Sequence, residues 1–252
     1  VSTLENFGKQ GERPSHPDLL DWLALTFIKE NWSIKEMHRV IMNSRTYKQS
    51  SEITEERLEK DPQNRLLSRM PLRRMNAEAL RDSLLYVSGK LDIQGGGPPD
   101  SVSIDRDGMV SVEPEEDGTL RRSVYLRYRR TEIPTMMDTF DYPEMGPNCL
   151  SRNVSTVSPQ SLMLMNNAGI RTLASSFAVR VEKLLSGEEA GNSDRVDAVY
   201  RLALSRPPDA KEAELGSRAL TELEQRWNGN RNAALETYCH TILNSAAFLY
   251  ID

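Results

Sequence analysis

The chain has few of the residues that most often carry covalent or metal chemistry. Its 252 residues include two cysteines, Cys149 and Cys239, and three histidines, His16, His38 and His240. Two cysteines allow one disulfide but also fit two buried thiols, and the thiols are the favoured expectation. The histidines follow neither a His-Glu-x-x-His nor a Cys-x-x-Cys-His spacing. No zinc or iron site and no covalently attached haem is therefore expected in this chain. There is no Gly-x-Ser-x-Gly elbow. The one glycine run, Gly95-Gly96-Gly97, leads into Pro98-Pro99 and opens no helix, so it reads as linker and not as a phosphate loop. A basic excess is also missing. The net charge is −5, which argues against a nucleic-acid partner. No apolar run approaches the ~20 residues of a membrane span. No leader peptide is visible, and the first residue is Val1, so the chain is read as part of a longer protein.

What is present describes a folded protein. Hydrophobic residues at 38% and charged residues at 27% suffice for a packed core, in one large domain or two small ones. The cations are 24 Arg against 8 Lys. Arginine's planar fork suits carboxylates, phosphates and sulfates, whereas lysine is a point charge. Surface ion pairing is the plainer use of that bias.

Helix-start signals recur. Ser15-His16-Pro17-Asp18, Ser33-Ile34-Lys35-Glu36 and Asp209-Ala210-Lys211-Glu212 read as capping boxes, and Asp61-Pro62 reads as another start. Asn76 to Ser88 reads as a helix closed by Gly89. From Ser158 the apolar steps run through Leu162, Ile170, Phe177 and Leu184 to a stop at Gly187. Helices are also expected over 194–204, from 209 to Trp227, and around Leu235, Cys239 and Leu243. Between the helical parts, Val102 to Val112 alternates around Asp107-Gly108, a hairpin signal, and Ser123 to Tyr128 is a third candidate strand. The expected fold is mainly α, a helical bundle-like domain with a small antiparallel β insertion around residues 100–130. Its parts would be an N-terminal helical part (1–91), a linker and β insertion (92–132) and a C-terminal helical part (133–252), integrated into one domain.

Four polar clusters are candidates for function. Arg152-Asn153-Val154-Ser155-Thr156 with Gln160 precedes a helix N-terminus, where free N–H groups and the dipole favour an anion. In the competing reading the hydroxyls cap the helix and Arg152 pairs with a structural acid. Glu12, Arg13, His16 and Asp21 place a histidine among carboxylates, a weak acid–base candidate. Arg73 and Arg74 with Glu78, Arg81 and Asp82 put two carboxylates one helical turn apart, fit for a shared proton or for a salt-bridge network. Arg121, Arg122, Arg127, Arg129 and Arg130 follow the acidic run 113–117. Arg127 and Arg129 would share one strand face and grip a polyanion, or the arginines would pair with that run.

Several segments together resemble one family. They are Gly11-Glu12-Arg13-Pro14-Ser15-His16-Pro17 with Leu19-Leu20-Asp21-Trp22; Arg73-Arg74 with Glu78-Ala79-Leu80-Arg81-Asp82; and Arg122-Ser123-Val124-Tyr125 with Phe140-Asp141. They continue with Arg152 to Thr156 leading to Pro159-Gln160-Ser161-Leu162, then Tyr200 to Pro208 with Glu212, and close on Phe248-Leu249-Tyr250-Ile251-Asp252. In this order they resemble the planctomycete-type domain of unknown function that lies C-terminal to cytochrome-c-like domains in large exported proteins. One departure is Ala247, where the pattern has a glutamate. The resemblance implies a haem c elsewhere in the parent protein, export to the periplasm or cell envelope, and the parent's upstream domains as partners. On that basis the expected role is a structural or ligand-binding C-terminal module, with an anionic glycan or envelope polymer as its ligand class. The rivals are a polysaccharide-acting enzyme, whether hydrolase or oxidoreductase component, and an assembly module that packs on the upstream domain.

Overall fold

The computed structural model describes residues 3, 4, 6, 8–115, 118–143, 152, 154–185 and 190–251. The chain forms two compact units, Val1–Arg73 and Arg74–Ile251.

The first unit holds α1 (Pro17–Lys29), α2 (Ile34–Asn43) and the short α3 (Glu55–Lys60). Helix α2 starts as its sequence predicts: the Ser33 hydroxyl accepts the Glu36 N–H at 3.3 Å. Helix α1 differs. Its N-cap is His16, with no side-chain cap, because the Ser15 hydroxyl is engaged with His16 Nδ1 at 3.0 Å. Asp61-Pro62 starts no helix. Asp61 instead ends α3, and its buried carboxylate accepts the N–H groups of Arg65 (2.7 Å) and Leu66 (2.8 Å) to tie a turn. Neither α1 nor α2 buries a residue. Leu20, Trp22, Leu25, Ile28, Trp32, Ile34, Ile41 and Met42 are all exposed.

The second unit contains the core. Its helices are α4 (Ala77–Ser88), α5 (Thr135–Thr139), α6 (Ser158–Asn166), α7 (Ala168–Leu185), α8 (Asn192–Leu204), α9 (Ala210–Arg226), α10 (Arg231–Leu243) and α11 (Ala246–Leu249). The fold is mainly α, with small strand pairs between α4 and α5. Helix α4 runs from an Asn76 cap, which accepts the Ala79 N–H at 2.8 Å, to Gly89 at φ +73°. That left-handed conformation costs glycine nothing. The long apolar stretch after Ser158 is two helices. Asn167 interrupts it, and its side-chain oxygen accepts the Ile170 N–H at 3.2 Å to start α7. The expected stop at Gly187 lies outside the described residues. Helix α9 opens as predicted on Asp209, which accepts the Glu212 N–H at 2.8 Å.

Apolar residues three and four apart place Leu80 and Leu84, Phe177 and Val181, Val196 and Val199, and Leu235, Cys239 and Leu243 in one core with Leu220, Met137 and Phe140. Each fully buried large side chain contributes roughly 1.5–3 kcal/mol relative to exposure. Helix α7 packs on α10 and α4, and α9 packs on α8 and α10. Gly216 of α9 allows that approach, since a Cβ there would lie 2.5 Å from the Tyr238 hydroxyl and 2.9 Å from Val196. Cys239 is a free, buried thiol, and Cys149 lies outside the described residues.

The β part is smaller than expected and mixed in direction. Val102–Ile104 pairs antiparallel with Val110–Val112, and the Asp105 carboxylate ties the turn by accepting the N–H groups of Asp107 (2.9 Å) and Met109 (2.8 Å). Leu91–Asp92 pairs with Leu120–Arg121 in parallel. The third candidate strand is absent: Ser123–Tyr125 is a 3-10 turn. Asp82 of α4 accepts both the Ser123 N–H and its hydroxyl at 2.7 Å, and that stretch pairs through a single parallel bridge of Leu126 with Asp100.

Candidate functional site

The polar motifs of the second unit converge on Asp141. This residue follows α5 and sits at φ +62°, a conformation that non-glycine residues adopt rarely and that clusters at constrained sites. Its carboxylate accepts the Ser155 N–H at 2.8 Å, the Ser155 hydroxyl at 2.7 Å and Arg74 Nη2 at 2.6 Å. Gln160, buried on the first turn of α6, donates to Asp141 at 3.4 Å, to the Ser155 hydroxyl at 3.1 Å and to the Thr139 carbonyl at 3.1 Å. Its side-chain oxygen accepts the Val157 N–H at 3.4 Å. Burial pushes the Asp141 pKa up, but the two Ser155 donors and Arg74 overcome it, so the group lies below the usual carboxylate range. The Arg74 side chain is 4% exposed and lies over the Phe140 ring at 5.3 Å. Its Nε and Nη1 are buried and have no hydrogen-bond partner among the described residues.

A second set of pairs lies along α4. Glu78 accepts Arg152 Nη1 at 2.7 Å. Asp82 holds Ser123 and lies 3.6 Å from both Arg81 and Arg122. Arg81 is buried, and its Nη1 donates to the Arg121 carbonyl at 2.9 Å and the Ser123 hydroxyl at 3.3 Å. The two α4 carboxylates that sequence placed on one face therefore serve different arginines. Beyond them, Arg121 clamps the glycine–proline loop. Its Nε donates to the buried Asp100 at 2.6 Å, and its Nη atoms reach the carbonyls of Gly96 (2.7 Å) and Pro98 (2.6 Å).

The turn between α8 and α9 holds a third clamp. Arg206 grips Glu212 through two bonds of 2.7 Å and lies over the Tyr200 ring at 5.5 Å. This arginine holds the Glu212 carboxyl down to about 2.

Residues 1–220 match the family model PSD1, Protein of unknown function (DUF1553). The chain belongs to this family. No curated protein and no solved structure matches it. The DUF1553 match spans α1 through most of α9, so it takes in the Asp141 network and the Arg206–Glu212 clamp.

Within the DUF1553 domain the other candidate residues are dispersed. Ser155 and Gln160 join Asp141. Arg152 does not face a ligand space alone, since its acid is Glu78, and Asn153 lies outside the described residues. Thr156 Oγ1 lies 3.5 Å from the Tyr250 hydroxyl. Arg73 is exposed, while Arg74 is the buried partner of Asp141. Arg129 pairs with Glu132 at 3.1 Å, and the backbone of Arg127 donates to the Asp100 carbonyl at 3.2 Å. No strand spans these two arginines, so they share no strand face. From the acidic run, Glu115 lies 3.9 Å from Arg121, and 116–117 lie outside the described residues. In the first unit, Glu12 and Arg13 line a surface hollow with Asn64 and Arg65, while Asp21 is exposed on α1. Among the described residues, no group of three or more His, Cys, Asp or Glu side chains is placed to hold a metal ion.

Sequence reasoning put the arginines first and missed Asp141 as their centre. The available signal was its place in the Phe140-Asp141 motif, a carboxylate directly after a core aromatic residue. It also missed the buried Arg121–Asp100 pair, because an acid next to Pro98-Pro99 looks like loop.

Proposed function

We propose that this DUF1553 domain is a structural or ligand-binding module of an exported, multidomain, cytochrome-c-linked protein, and not its catalytic part. The observation that carries the reading is the engagement of Asp141 by donors of its own chain. One carboxylate accepts donors from Arg74 and from Ser155 and Gln160 at the start of α6, two stretches of chain far apart in sequence. A general base must be presented to its substrate, whereas this carboxylate, with three donors on Oδ2 and one on Oδ1, is engaged in positioning α6 against the α4–α5 region. Haem c, export to the cell envelope and the upstream domains as partners belong to the same proposal. The anionic glycan suggested by the arginine bias has weaker support, since Arg74, Arg121, Arg129, Arg152 and Arg206 all reach carboxylates of this chain.

Thermal unfolding of the whole chain against sulfated and uronic oligosaccharides tests this. The structural reading expects Arg152→Ala to change stability by about 1 kcal/mol or less, as for an exposed pair, with no ligand response that depends on Arg152. A glycan-induced rise in midpoint that Arg152→Ala abolishes would make the motif a binding site. Release of reducing ends from any of these glycans would overturn the non-catalytic assignment.

A second reading, assembly on a neighbouring domain of the parent protein, has its own support. Helices α1 and α2 bury nothing, and Leu20, Phe27, Ile34 and Ile41 line an apolar groove of about 370 Å³. Contiguous apolar surface of this kind marks interaction sites. Sedimentation of the whole chain mixed with its neighbouring domain checks it, because Leu20→Glu and Ile41→Glu, which put charge into the groove, should both weaken the complex.

A further inference from the structure

We infer that the second unit binds an amphiphilic anion, an acyl chain ended by a carboxylate, in the cleft between the 102–112 hairpin, α4 and α7. The cleft holds about 400 Å³, within the usual range of small-molecule sites. Leu85 of α4, Val110 and Val112 of the hairpin, Met136 of α5, and Ile170 and Leu173 of α7 give it an apolar body. The hairpin's alternation produces this wall, because Val110 and Val112 share one face. At α4 the wall changes character. Arg81 lies one turn before Leu85 and also lines the cleft, with its side chain only 7% exposed. Its Nη1 is occupied by the Arg121 carbonyl and the Ser123 hydroxyl, but its Nη2 is buried without a hydrogen-bond partner. A buried guanidinium donor left unpaired is costly, and it marks a place where an acceptor is expected. The acid near it, Asp82, lies 3.6 Å from Nη1, and its Oδ1 already accepts both donors of Ser123. Lys90 adds a second cation to the wall. None of the described wall residues is Asp or Glu.

An apolar body beside two cations selects the ligand. A neutral lipid offers the Arg81 donor only an uncharged acceptor, and a sugar leaves the apolar wall uncovered. A carboxylate on a hydrocarbon chain satisfies both, with a charge-assisted bond at the arginine. This goes beyond the structural reading above, because it uses neither Asp141 nor Ser155 nor Arg152, and either idea can fail alone.

Calorimetric titration of the whole chain with decanoate, decanol, decyl phosphate and acetate, below micellar concentrations, tests the inference. Saturable one-to-one decanoate binding is expected, with decanol at least tenfold weaker and acetate not binding. Arg81→Met risks the fold, so two safer variants complete the test. Ser176→Trp, on the α7 wall, should abolish decanoate binding with the unfolding midpoint kept, and Lys90→Met should narrow the decanoate–decanol gap. The inference is overturned if a cooperatively folded chain binds no decanoate, if decanol binds as tightly, or if Ser176→Trp binds undiminished. Tighter binding of decyl phosphate overturns the carboxylate head.

Discussion

Replacing Asp141 by asparagine isolates what the network contributes. Asparagine tolerates the left-handed backbone at this position, so φ +62° gives no new strain. Its amide oxygen still accepts the Ser155 N–H, so the geometry is largely preserved. What disappears is the negative charge 2.6 Å from Arg74, whose side chain is 4% exposed. Removing one partner of a buried pair costs about 3–5 kcal/mol, because the other charge stays buried and uncompensated. Asp141 is partly open to solvent, which favours the low end, about 3 kcal/mol. For a chain of this size that is a fall in midpoint of roughly 6–12 °C. Urea unfolding followed by circular dichroism, with an unchanged m-value, would measure it. Arg74→Met in the same background should recover part of the loss, since an apolar replacement leaves nothing unpaired, and a double-mutant cycle should give a coupling of about 2 kcal/mol. The acid limb supplies a second check. The Asp141 pKa is lowered in the folded chain, so its contribution is present above the usual carboxylate range and lost as pH falls below it. Asp141→Asn should flatten that limb. A loss under about 1 kcal/mol, or strictly additive single changes, would refute the claim that this network ties α6 to the rest of the unit.

Three further outcomes follow from the core and the α8–α9 turn. Gly216→Ala should destabilise by about 1–2 kcal/mol in urea, although alanine is the better helix former by up to about 1 kcal/mol, because the new methyl meets Tyr238 and Val196; a stabilised variant would mean that the helices separate easily. Glu212 lies at about 2 when folded against a usual 4.5, so its share of stability is full above 4.5 and vanishes as pH falls toward 2; Glu212→Gln should remove that slope from midpoints measured across this window. Cys239 is fully buried and burial pushes its thiol pKa up, so in a Cys149→Ser background it should label with a thiol reagent only as fast as the unit opens; rapid native-state labelling would contradict its place in the core.

Local signals in the sequence were readable where a single short-range interaction decides the structure. Ser33, Asn76 and Asp209 each accept the N–H three residues on, and Gly89 closes α4 in the left-handed conformation. The apolar steps at three and four residues identified Ile170, Phe177, Leu235, Cys239 and Leu243, which are core, but also Leu162 and Leu184, which are exposed, because periodicity marks one face of a helix and not where that face meets a partner. Reading failed where a distant side chain overrides the local preference. Ser123 to Tyr128 has strand composition, but Asp82, 41 residues away, takes the Ser123 N–H. Asp61-Pro62 has helix-start chemistry, but Asp61 turns back on Arg65 and Leu66. Arg152 looked like a ligand contact because Glu78, 74 residues earlier, gives no sign in the sequence that it lies opposite.

The same reasoning bears on what the arginine excess is for. A surface bias from composition alone would scatter arginines at exposed positions, as with Arg39 and Arg201, whose partners lie three and four residues away on the same helix. Three other arginines behave differently. Arg74, Arg81 and Arg121 are nearly buried, and each reaches chain 40 or more residues away or clamps a loop more than 20 residues away. A guanidinium can do this because it bonds several acceptors in fixed directions, whereas an ammonium cannot fix geometry. Arginine there specifies which parts of the chain meet. Of the donors this arrangement leaves over, Arg74 Nε and Nη1 and Arg81 Nη2, the last belongs to a residue that lines an apolar cleft, which makes it the most informative one for the search for a ligand.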